Sequence, residues 1–277
     1  MEEKTNIFLK MQNTACVSNS VAVVAAVNKD EALVGNLAKS PCLLKGDIPL
    51  IVERGHESAA KAYNAGLSRT NAEIIVFAHQ DVYLPERWDL QLLAAVQYLE
   101  LHDKNWAVLG VVGFDRNGAI VGRVWSSGLK REIEGTSCSS PVPVVSIDEL
   151  LIVLNAKVGL KFDENLPGYH LYGTDIVQTA IERGLTAYVF EAPIIHNSTA
   201  VVWLDRSYGR AYRYMQRKWK AKLPIETTVV PITRYGWPLF RKRICAFKRN
   251  TLERRPIAIK YESPQVIAMR LGYEKKI

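Results

Sequence analysis

The sequence has 277 residues, of which 48% are hydrophobic and 23% are charged. This composition is that of an ordinary globular protein and excludes a disordered or collagen-like chain. No apolar run approaches the roughly 20 residues that span a bilayer, and the N-terminus lacks a basic-then-apolar signal sequence. Because the four cysteines (Cys16, Cys42, Cys138 and Cys245) form no CxxC pair, we expect reduced thiols and a cytoplasmic location.

The charge is distributed unevenly along the chain. Residues 205–277 contain 19 Lys or Arg and 5 Asp or Glu, a balance of +14, whereas the whole chain carries +8. This shift predicts a boundary near residue 205, with a main domain over 1–204 and a basic, mainly helical extension over 205–277 that has a partner of its own.

Strands and helices are predicted to alternate through the first hundred residues, after a loose N-terminal segment over 1–18. In chain order they are a strand at 20–27, a helix at 28–39, a strand at 48–52, a helix at 58–67, a strand at 73–78 and a helix at 86–101. Such alternation indicates right-handed βαβ units and a mostly parallel sheet with helices on both faces.

The second half of the sequence has a different pattern. A strand at 107–114 is followed by Asp115-Arg116-Asn117-Gly118, which predicts a type I′ hairpin turn, and by a returning strand at 119–125. The later predicted elements are a strand-like run at 142–154 interrupted by Asp148-Glu149, a helix at 173–183, a strand at 186–190 and a helix at 207–220. This half therefore adds antiparallel pairing to the parallel sheet.

Polar residues follow the apolar strand 73–78 at once, in the order His79, Gln80 and Asp81. Ligands of open α/β sheets bind at the carboxyl ends of the strands, and an imidazole and a carboxylate two residues apart can hold one divalent cation. A helix cap or turn is the alternative interpretation of the same three residues.

The order of these signals resembles the nucleotide-sugar glycosyltransferases of the GT-A fold, specifically the inverting family 2 group, from about Val21 to Trp219. The segments that carry the resemblance are Val27-Asn28, Ala62-Tyr63-Asn64-Ala65-Gly66, His79-Gln80-Asp81, Gly173-Thr174-Asp175 and His196. They are similar to that family's nucleotide-binding strand, Asn-containing helix, Asp-x-Asp motif, catalytic segment and late histidine. Three residues depart from the family pattern. His79 stands where the family has the first Asp of Asp-x-Asp, Thr174 stands where it has an acidic neighbour of the catalytic residue, and Glu53 stands where it usually has an Asp for the nucleobase or ribose.

The resemblance implies transfer of a sugar, by analogy from a UDP-sugar, to a saccharide or lipid-linked acceptor in polysaccharide biosynthesis. Asp81, His196 and His79 would hold a divalent metal, with Mn²⁺ favoured over Mg²⁺ because Mg²⁺ prefers oxygen ligands. Asp175 would act as the general base for inversion. A core or capping histidine and a helix-terminal aspartate are the alternatives for His196 and Asp175.

The same resemblance assigns residues to the donor, and aromatic character assigns residues to the acceptor. The donor side would comprise Val27, Asn28, Glu53, Asn64, Gln80 and Asp81. The acceptor side would comprise Trp125, His170 and Tyr172, because aromatic faces pack against the C–H surfaces of sugars. Cap, turn or core roles are the alternatives for these residues.

Two further interpretations remain open at the level of the sequence. The apolar and basic cluster within 237–249 predicts contact with the inner face of a membrane, or else a solvated face or a dimer contact. No nucleic-acid-binding motif occurs. A non-catalytic nucleotide- or glycan-binding module is the alternative function, whereas a nucleotidyltransferase is disfavoured because no Gly-rich phosphate loop follows the first strand.

Overall fold

The computed structural model describes residues 21–198, 204–252 and 262–275. The predicted loose segment at 1–18 and Cys16 lie outside these ranges. Of the other three cysteines, Cys42 and Cys138 are buried and Cys245 is exposed, and none of these three forms a disulfide in the described part of the chain.

A seven-stranded sheet forms the centre of the fold. Its strands, in spatial order, are β2 (Leu50–Glu53), β1 (Val21–Ala26), β3 (Ile74–His79), β11 (Leu151–Asn155), β5 (Trp106–Gly110), β12 (Thr186–Val189) and β9 (Val142–Pro143). The pairs β2–β1, β1–β3 and β5–β12 are parallel, whereas β11 and β9 run antiparallel to their neighbours. The predicted α/β class is therefore confirmed, with a mixed central sheet in which five of the seven strands run in the same direction.

A second sheet lies at the carboxyl end of the first. Its strands, in spatial order, are β10 (Ser146–Ile147), β6 (Val112–Phe114), β7 (Ile120–Ser126), β13 (Ile194–His196) and β4 (Val82–Tyr83), with β8 (Arg131–Glu134) paired to β7. Because β4 follows β3 after only two residues, this sheet is joined directly to the central one.

Helices cover both faces of the central sheet. In chain order they are α1 (Asp30–Gly35), α2 (Pro41–Leu44), α3 (Ala59–Leu67), α4 (Trp88–His102), α5 (Tyr172–Glu182), α6 (Arg206–Lys218), α7 (Trp237–Leu252) and α8 (Pro264–Arg270). Alternate residues of β1 enter two different cores, since Val24 packs with α3, α5 and α6, and Val23 packs with α1 and α4. This alternation places the helices on both faces, as predicted.

Several predicted details differ from the structure. The strand predicted at 107–114 is two strands, β5 and β6, in different sheets, since the chain bends at Val111, whose carbonyl bonds Arg123. The hairpin is present, but in its turn only Gly118 has positive φ, whereas a type I′ turn needs positive φ at two central residues. The helix predicted from 86 begins at Trp88, because Arg87 has a left-handed backbone with φ of 66°.

The described part of the basic extension is mainly helical, and its first helix is part of the main core. Tyr208, Ala211, Tyr212 and Met215 on α6 are buried in the cluster that also contains α3 and α5. The domain boundary at residue 205 stays a prediction. Across the described ranges, no helix has both the length and the apolar composition needed to cross a bilayer.

Candidate metal and donor site

Three side chains meet where the two sheets join. His79 is the last residue of β3, Asp81 follows two residues later, and β4 then pairs antiparallel with β13, which places His196 opposite Val82. The backbone N–H of Asn197 donates to the carbonyl of Asp81 at 2.8 Å and fixes this register. Strand pairing therefore brings together residues that are more than a hundred positions apart in the sequence.

The ligand atoms of His79, Asp81 and His196 all lie within 4.8 Å of one another. His196 Nε2 is 3.5 Å from Asp81 Oδ2, and His79 Nδ1 is 4.0 Å from Asp81 Oδ1. Burial opposes ionisation of Asp81, but the hydrogen bond from His196 and the two nearby imidazoles outweigh it and lower the pKa of Asp81 to about 2. The carboxylate is therefore charged at neutral pH.

A buried tyrosine orients His79. The Tyr172 hydroxyl donates to the backbone carbonyl of Glu149 at 3.0 Å and lies 2.6 Å from His79 Nε2. Since that hydroxyl proton is already engaged, Nε2 carries the imidazole proton and donates it to Tyr172, which leaves a lone pair on Nδ1 facing Asp81. Burial also lowers the pKa of His79, so the neutral ring that a metal requires is favoured.

The donor set fits a divalent first-row metal. Ser198 Oγ lies 3.4 Å from His196 Nδ1, which leaves His196 Nε2 directed at Asp81. Two imidazoles and one carboxylate form a mixed nitrogen and oxygen set suited to Mn²⁺ or a similar ion, with positions left for ligands from a substrate. All three side chains are partly exposed, at 19 to 27%, so the cluster is open to solvent.

The donor-side residues have distinct surroundings. Gln80 Oε1 accepts the backbone N–H groups of Asn28 and Lys29, at 3.1 and 3.0 Å, and Gln80 Nε2 donates to Asn28 Oδ1 at 2.6 Å. Gln80 thus connects the carboxyl end of β3 to the carboxyl end of β1 by hydrogen bonds. At the end of β1, Val27 is buried and Asn28 is exposed. These residues form one edge beside the metal cluster.

Glu53 and Asn64 are engaged with the protein itself. Glu53 is 8% exposed, and its carboxylate accepts a hydrogen bond from Arg69 Nη1 at 2.8 Å and lies 3.0 Å from His56 Nε2. Burial opposes the charge of Glu53, but Arg69 and His56 outweigh the effect of burial and lower the pKa of Glu53. Asn64 exchanges two hydrogen bonds with the backbone of Phe162, at 2.9 and 3.0 Å. Both side chains therefore hold neighbouring segments of the protein together in this structure.

The comparison with known protein families decides the assignment. Residues 44–219, which include the whole metal cluster, match the profile described as "Glycosyltransferase like family". The chain belongs to this family. The match confirms the resemblance to a glycosyltransferase family that was predicted from the sequence.

Several individual proteins are similar to this glycosyltransferase-like chain. The curated protein "ATP synthase subunits region ORF 6" of Fuscovulum blasticum is 26% identical over 161 residues, which are 57% of this chain and 64% of that protein. Among solved structures, the mannosyltransferase PcManGT from Pyrobaculum calidifontis, in complex with GDP-Man and Mn²⁺, is 13% identical over 91% of this chain and 79% of its own, with a TM-score of 0.46. GalNAc-T7 with UDP, GalNAc and Mn²⁺ is 11% identical over 92% of this chain and 56% of its own, with a TM-score of 0.44.

Asp175 of this glycosyltransferase-like chain lies outside the metal cluster. It is 2% exposed, and its two oxygens accept hydrogen bonds from Lys218 Nζ at 2.8 Å and from Trp219 Nε1 at 2.7 Å. Lys218 also bonds Asp163 at 2.7 Å. Burial raises the pKa of Asp175 more than Lys218 and Trp219 lower it. The predicted base is therefore held in a buried ion pair one turn along α5 from Tyr172.

The predicted acceptor residues do not form one surface. Trp125 is half-buried, with the guanidinium of Arg270 on α8 5.6 Å from its ring centroid. His170 is half-buried against Tyr208 of α6, with ring centroids 5.3 Å apart. Tyr172 is 2% exposed and lies beneath His79. The structure places Tyr172 as a support for the metal cluster instead of an exposed platform.

The sequence interpretation missed Glu149 as a functional candidate. It precedes β11, whose Leu151 pairs with Ala78, so it lies at the same sheet edge as His79. Its Oε1 accepts the backbone N–H of Leu171 at 3.3 Å, and burial, with the nearby charge of Asp148, raises its pKa to about 8. The available signal was the acidic pair that interrupts the apolar run 142–154.

Proposed function

We propose that this protein transfers a sugar from a nucleotide-diphosphate sugar to a saccharide or lipid-linked acceptor, with inversion at the anomeric carbon. A UDP-sugar is the donor expected from the resemblance, and a hexose is the expected sugar. The observation that carries the proposal is the convergence of His79, Asp81 and His196 at the carboxyl edge of the sheet in a chain of the glycosyltransferase-like family.

The metal held by these three residues would act as a Lewis acid that stabilises the departing diphosphate. We propose Mn²⁺ over Mg²⁺, because two of the three protein ligands are imidazoles. The protein's own contribution is orientation: Tyr172 directs the lone pair of His79 toward Asp81. Ser198 lies beside Nδ1 of His196, so Nε2 of that ring faces Asp81.

The donor would lie along the edge formed by Val27, Asn28 and Gln80. The exposed Asn28 side chain and the end of β1 offer hydrogen-bonding groups to the nucleoside. The hydrogen bond from Gln80 to Asn28 keeps Asn28 in place beside the end of β3. Glu53 and Asn64 would act mainly by fixing the walls of this cleft, through Arg69 and Phe162.

Asp175 is the proposed general base. Each of its oxygens accepts one bond from a described residue, and since a carboxylate offers about four acceptor positions, lone pairs remain for an acceptor hydroxyl. Its raised pKa favours proton uptake. Because Asp175 is buried, an acceptor can reach it only if the surrounding side chains move. Glu149, with its higher pKa, is the competing carboxylate.

A direct test begins with a thermal-shift screen of UDP-, GDP-, dTDP- and CMP-sugars with Mn²⁺, since a bound donor raises the melting temperature. Hydrolysis of the selected donor is then measured for the wild type, Asp175→Asn and Glu149→Gln. We expect Asp175→Asn to lower kcat by about 10² to 10⁴ with donor affinity retained, and Glu149→Gln to have a smaller effect.

The same measurements decide between the alternatives. If only Glu149→Gln abolished turnover, Glu149 would be the base. If wild type and both variants bound the donor without turnover under any acceptor or metal condition, the chain would be a non-catalytic nucleotide-binding module of this fold, as the loss of one aspartate from the Asp-x-Asp motif would allow.

A further inference from the structure

A row of arginines covers the outward face of α6. Its members recur at intervals of three and four residues, which places them on one side of the helix, and they are Arg206, Arg210, Arg213 and Arg217. All four are exposed, and among the described residues none of them forms an ion pair with a carboxylate. The opposite side of α6, with Tyr208, Ala211 and Met215, is buried.

The next helix presents aromatic residues to solvent. On α7, Trp237, Phe240 and Ile244 are 60%, 53% and 39% exposed and recur at helical spacing, and the rings of Trp237 and Phe240 are 5.4 Å apart. Tyr235, just before the helix, is 88% exposed. Large apolar side chains grouped in this way are unusual on a free surface and indicate an interaction site.

The two helices lie side by side and run in opposite directions. Midway along α7, Arg243 donates to the carbonyls of Leu204 and Asp205, at 3.1 and 2.6 Å, just before α6 begins. At the start of α7, a Cβ on Gly236 would lie 3.4 Å from Gln216 Nε2, near the end of α6.

The directions of the side chains follow from helix geometry. Positions 205, 209, 212 and 216 of α6 face α7, so the arginines, one residue further on, are rotated by about 100° away from α7 and from the core. On α7, Leu239 is buried and Arg243 holds the inward side, so Trp237, Phe240 and Ile244 point outward. The arginine row and the aromatic row therefore lie next to each other on one exposed face, which we call the α6–α7 face.

We propose that the α6–α7 face binds the surface of an anionic membrane. Aromatic rings favour the level of the lipid headgroups, where one side is apolar and the other is wet, and arginines bind phosphates at the same depth. Arg234 and Arg241 are also exposed and add positive charge beside the aromatic row. A purely electrostatic partner such as a nucleic acid would not account for three grouped, exposed apolar side chains on α7.

Helix α6 packs against the segment that leads into the helix of Tyr172. The ring centroid of Tyr208, on the buried side of α6, lies 5.3 Å from that of His170, which precedes the helix that carries Tyr172. If the proposed function holds, a membrane-bound chain would present its cleft to an acceptor that is itself anchored in the lipid. The membrane contact does not depend on that function, so it is tested by binding alone.

The experiment is co-sedimentation of the full chain with vesicles of phosphatidylcholine, with and without 30% phosphatidylglycerol, at low and at 0.5 M salt. We expect binding to the anionic vesicles and loss of binding at high salt. Arg213→Gln with Arg217→Gln should weaken binding about fivefold per arginine, and Trp237→Ser with Phe240→Ser by roughly tenfold or more.

Matched controls exist elsewhere on the surface. The double variant Arg116→Gln with Lys104→Gln removes two exposed charges that lie outside α6 and α7. Leu101→Ser removes a leucine that is 78% exposed on α4. Both control variants should bind the vesicles like the wild type. The melting temperature of every variant is measured to check that it is folded.

Three outcomes would overturn the proposal. The first is no binding to anionic vesicles, and the second is equal weakening by the controls. The third is a dimer in light scattering that dissociates on Trp237→Ser without any vesicle binding, which would assign the face to a second copy. Donor hydrolysis without vesicles, measured in parallel, shows whether the catalytic proposal stands or fails separately.

Discussion

The orientation of His79 is the residue-scale feature on which the metal cluster depends. A histidine that binds a metal through one nitrogen must hold its proton on the other, and a hydrogen-bond acceptor fixes that choice. Tyr172 supplies the acceptor, because its own proton is donated to the carbonyl of Glu149. The tyrosine is buried, so its position is set by the core and not by solvent.

Tyr172→Phe removes this acceptor while keeping the ring in the core. We expect the affinity for Mn²⁺ to fall by about 10- to 100-fold, since the two tautomers of His79 would then be less strongly biased. Tyr188→Phe is the matched control, because it also removes a buried hydrogen bond, to Asp103 at 2.7 Å, at the other end of the strands. Equal Mn²⁺ affinities, measured by isothermal titration calorimetry, would refute the assigned role of Tyr172.

The metal cluster was predictable from sequence, and its supporting contacts were not. His79 and Asp81 directly follow a predicted strand, so their position at a sheet edge can be inferred from pattern. His196 was assigned to the metal by the family resemblance. The contact of Tyr172 with His79, 93 residues away, depends on the packing of α5 against the sheet. Tyr172 was therefore assigned to the acceptor surface from its aromatic character.

At the scale of elements, α3 and β1 approach each other at Gly66. A Cβ at this position would lie 2.3 Å from Cγ1 of Val24, a fully buried side chain of the central strand. The close approach brings α3, which carries Asn64, against the sheet beside the donor edge. Glycine is required here by space, since its φ is not in the left-handed region.

Gly66→Ala is expected to lower the free energy of unfolding by about 1 to 3 kcal/mol, because Val24 has no room to move. Gly35→Ala is the control: it also lies in a helix, has nothing within 4 Å of the added carbon, and should be neutral or stabilising by about 0.5 to 1 kcal/mol. Urea denaturation measures both. Equal stabilities of the two variants would contradict the packing of α3 on β1.

The division of 107–114 between two sheets illustrates what a sequence pattern leaves undetermined. The run is apolar throughout, and a continuous strand and a strand bent at Val111 have the same periodicity. The bend arises from tertiary pairing, since the carbonyl of Val111 bonds Arg123 on β7. Element type and order were therefore predictable, whereas the sheet to which each strand belongs was not.

For the molecule as a whole, Glu149 introduces a pH dependence of stability. Burial and the charge of Asp148 raise its pKa to about 8, from an ordinary value of 4.5 in the unfolded chain. Between these two values the unfolded chain releases a proton that the folded protein retains. Because the folded state binds more protons, its stability falls as the pH rises through this window.

Glu149→Gln removes this titration. We expect the melting temperature of the wild type to decline, relative to that of the variant, as the pH rises from 5 to 8, while below pH 4 the difference between them becomes constant. Differential scanning calorimetry across this range provides the measurement. Parallel curves would show that Glu149 has an ordinary pKa and lies in a more solvated environment than we describe.

The most direct test of the central claim is to titrate the protein with Mn²⁺ in the presence of UDP or GDP and to measure the binding by isothermal titration calorimetry. We predict one Mn²⁺ per chain for the wild type and a loss of affinity of at least about 100-fold for Asp81→Asn and for His196→Ala, because each removes one of three protein ligands. Asp115→Asn, a carboxylate of the β6–β7 turn, should bind like the wild type. Undiminished Mn²⁺ binding in the Asp81 and His196 variants would show that the metal, and with it the donor diphosphate, is held elsewhere.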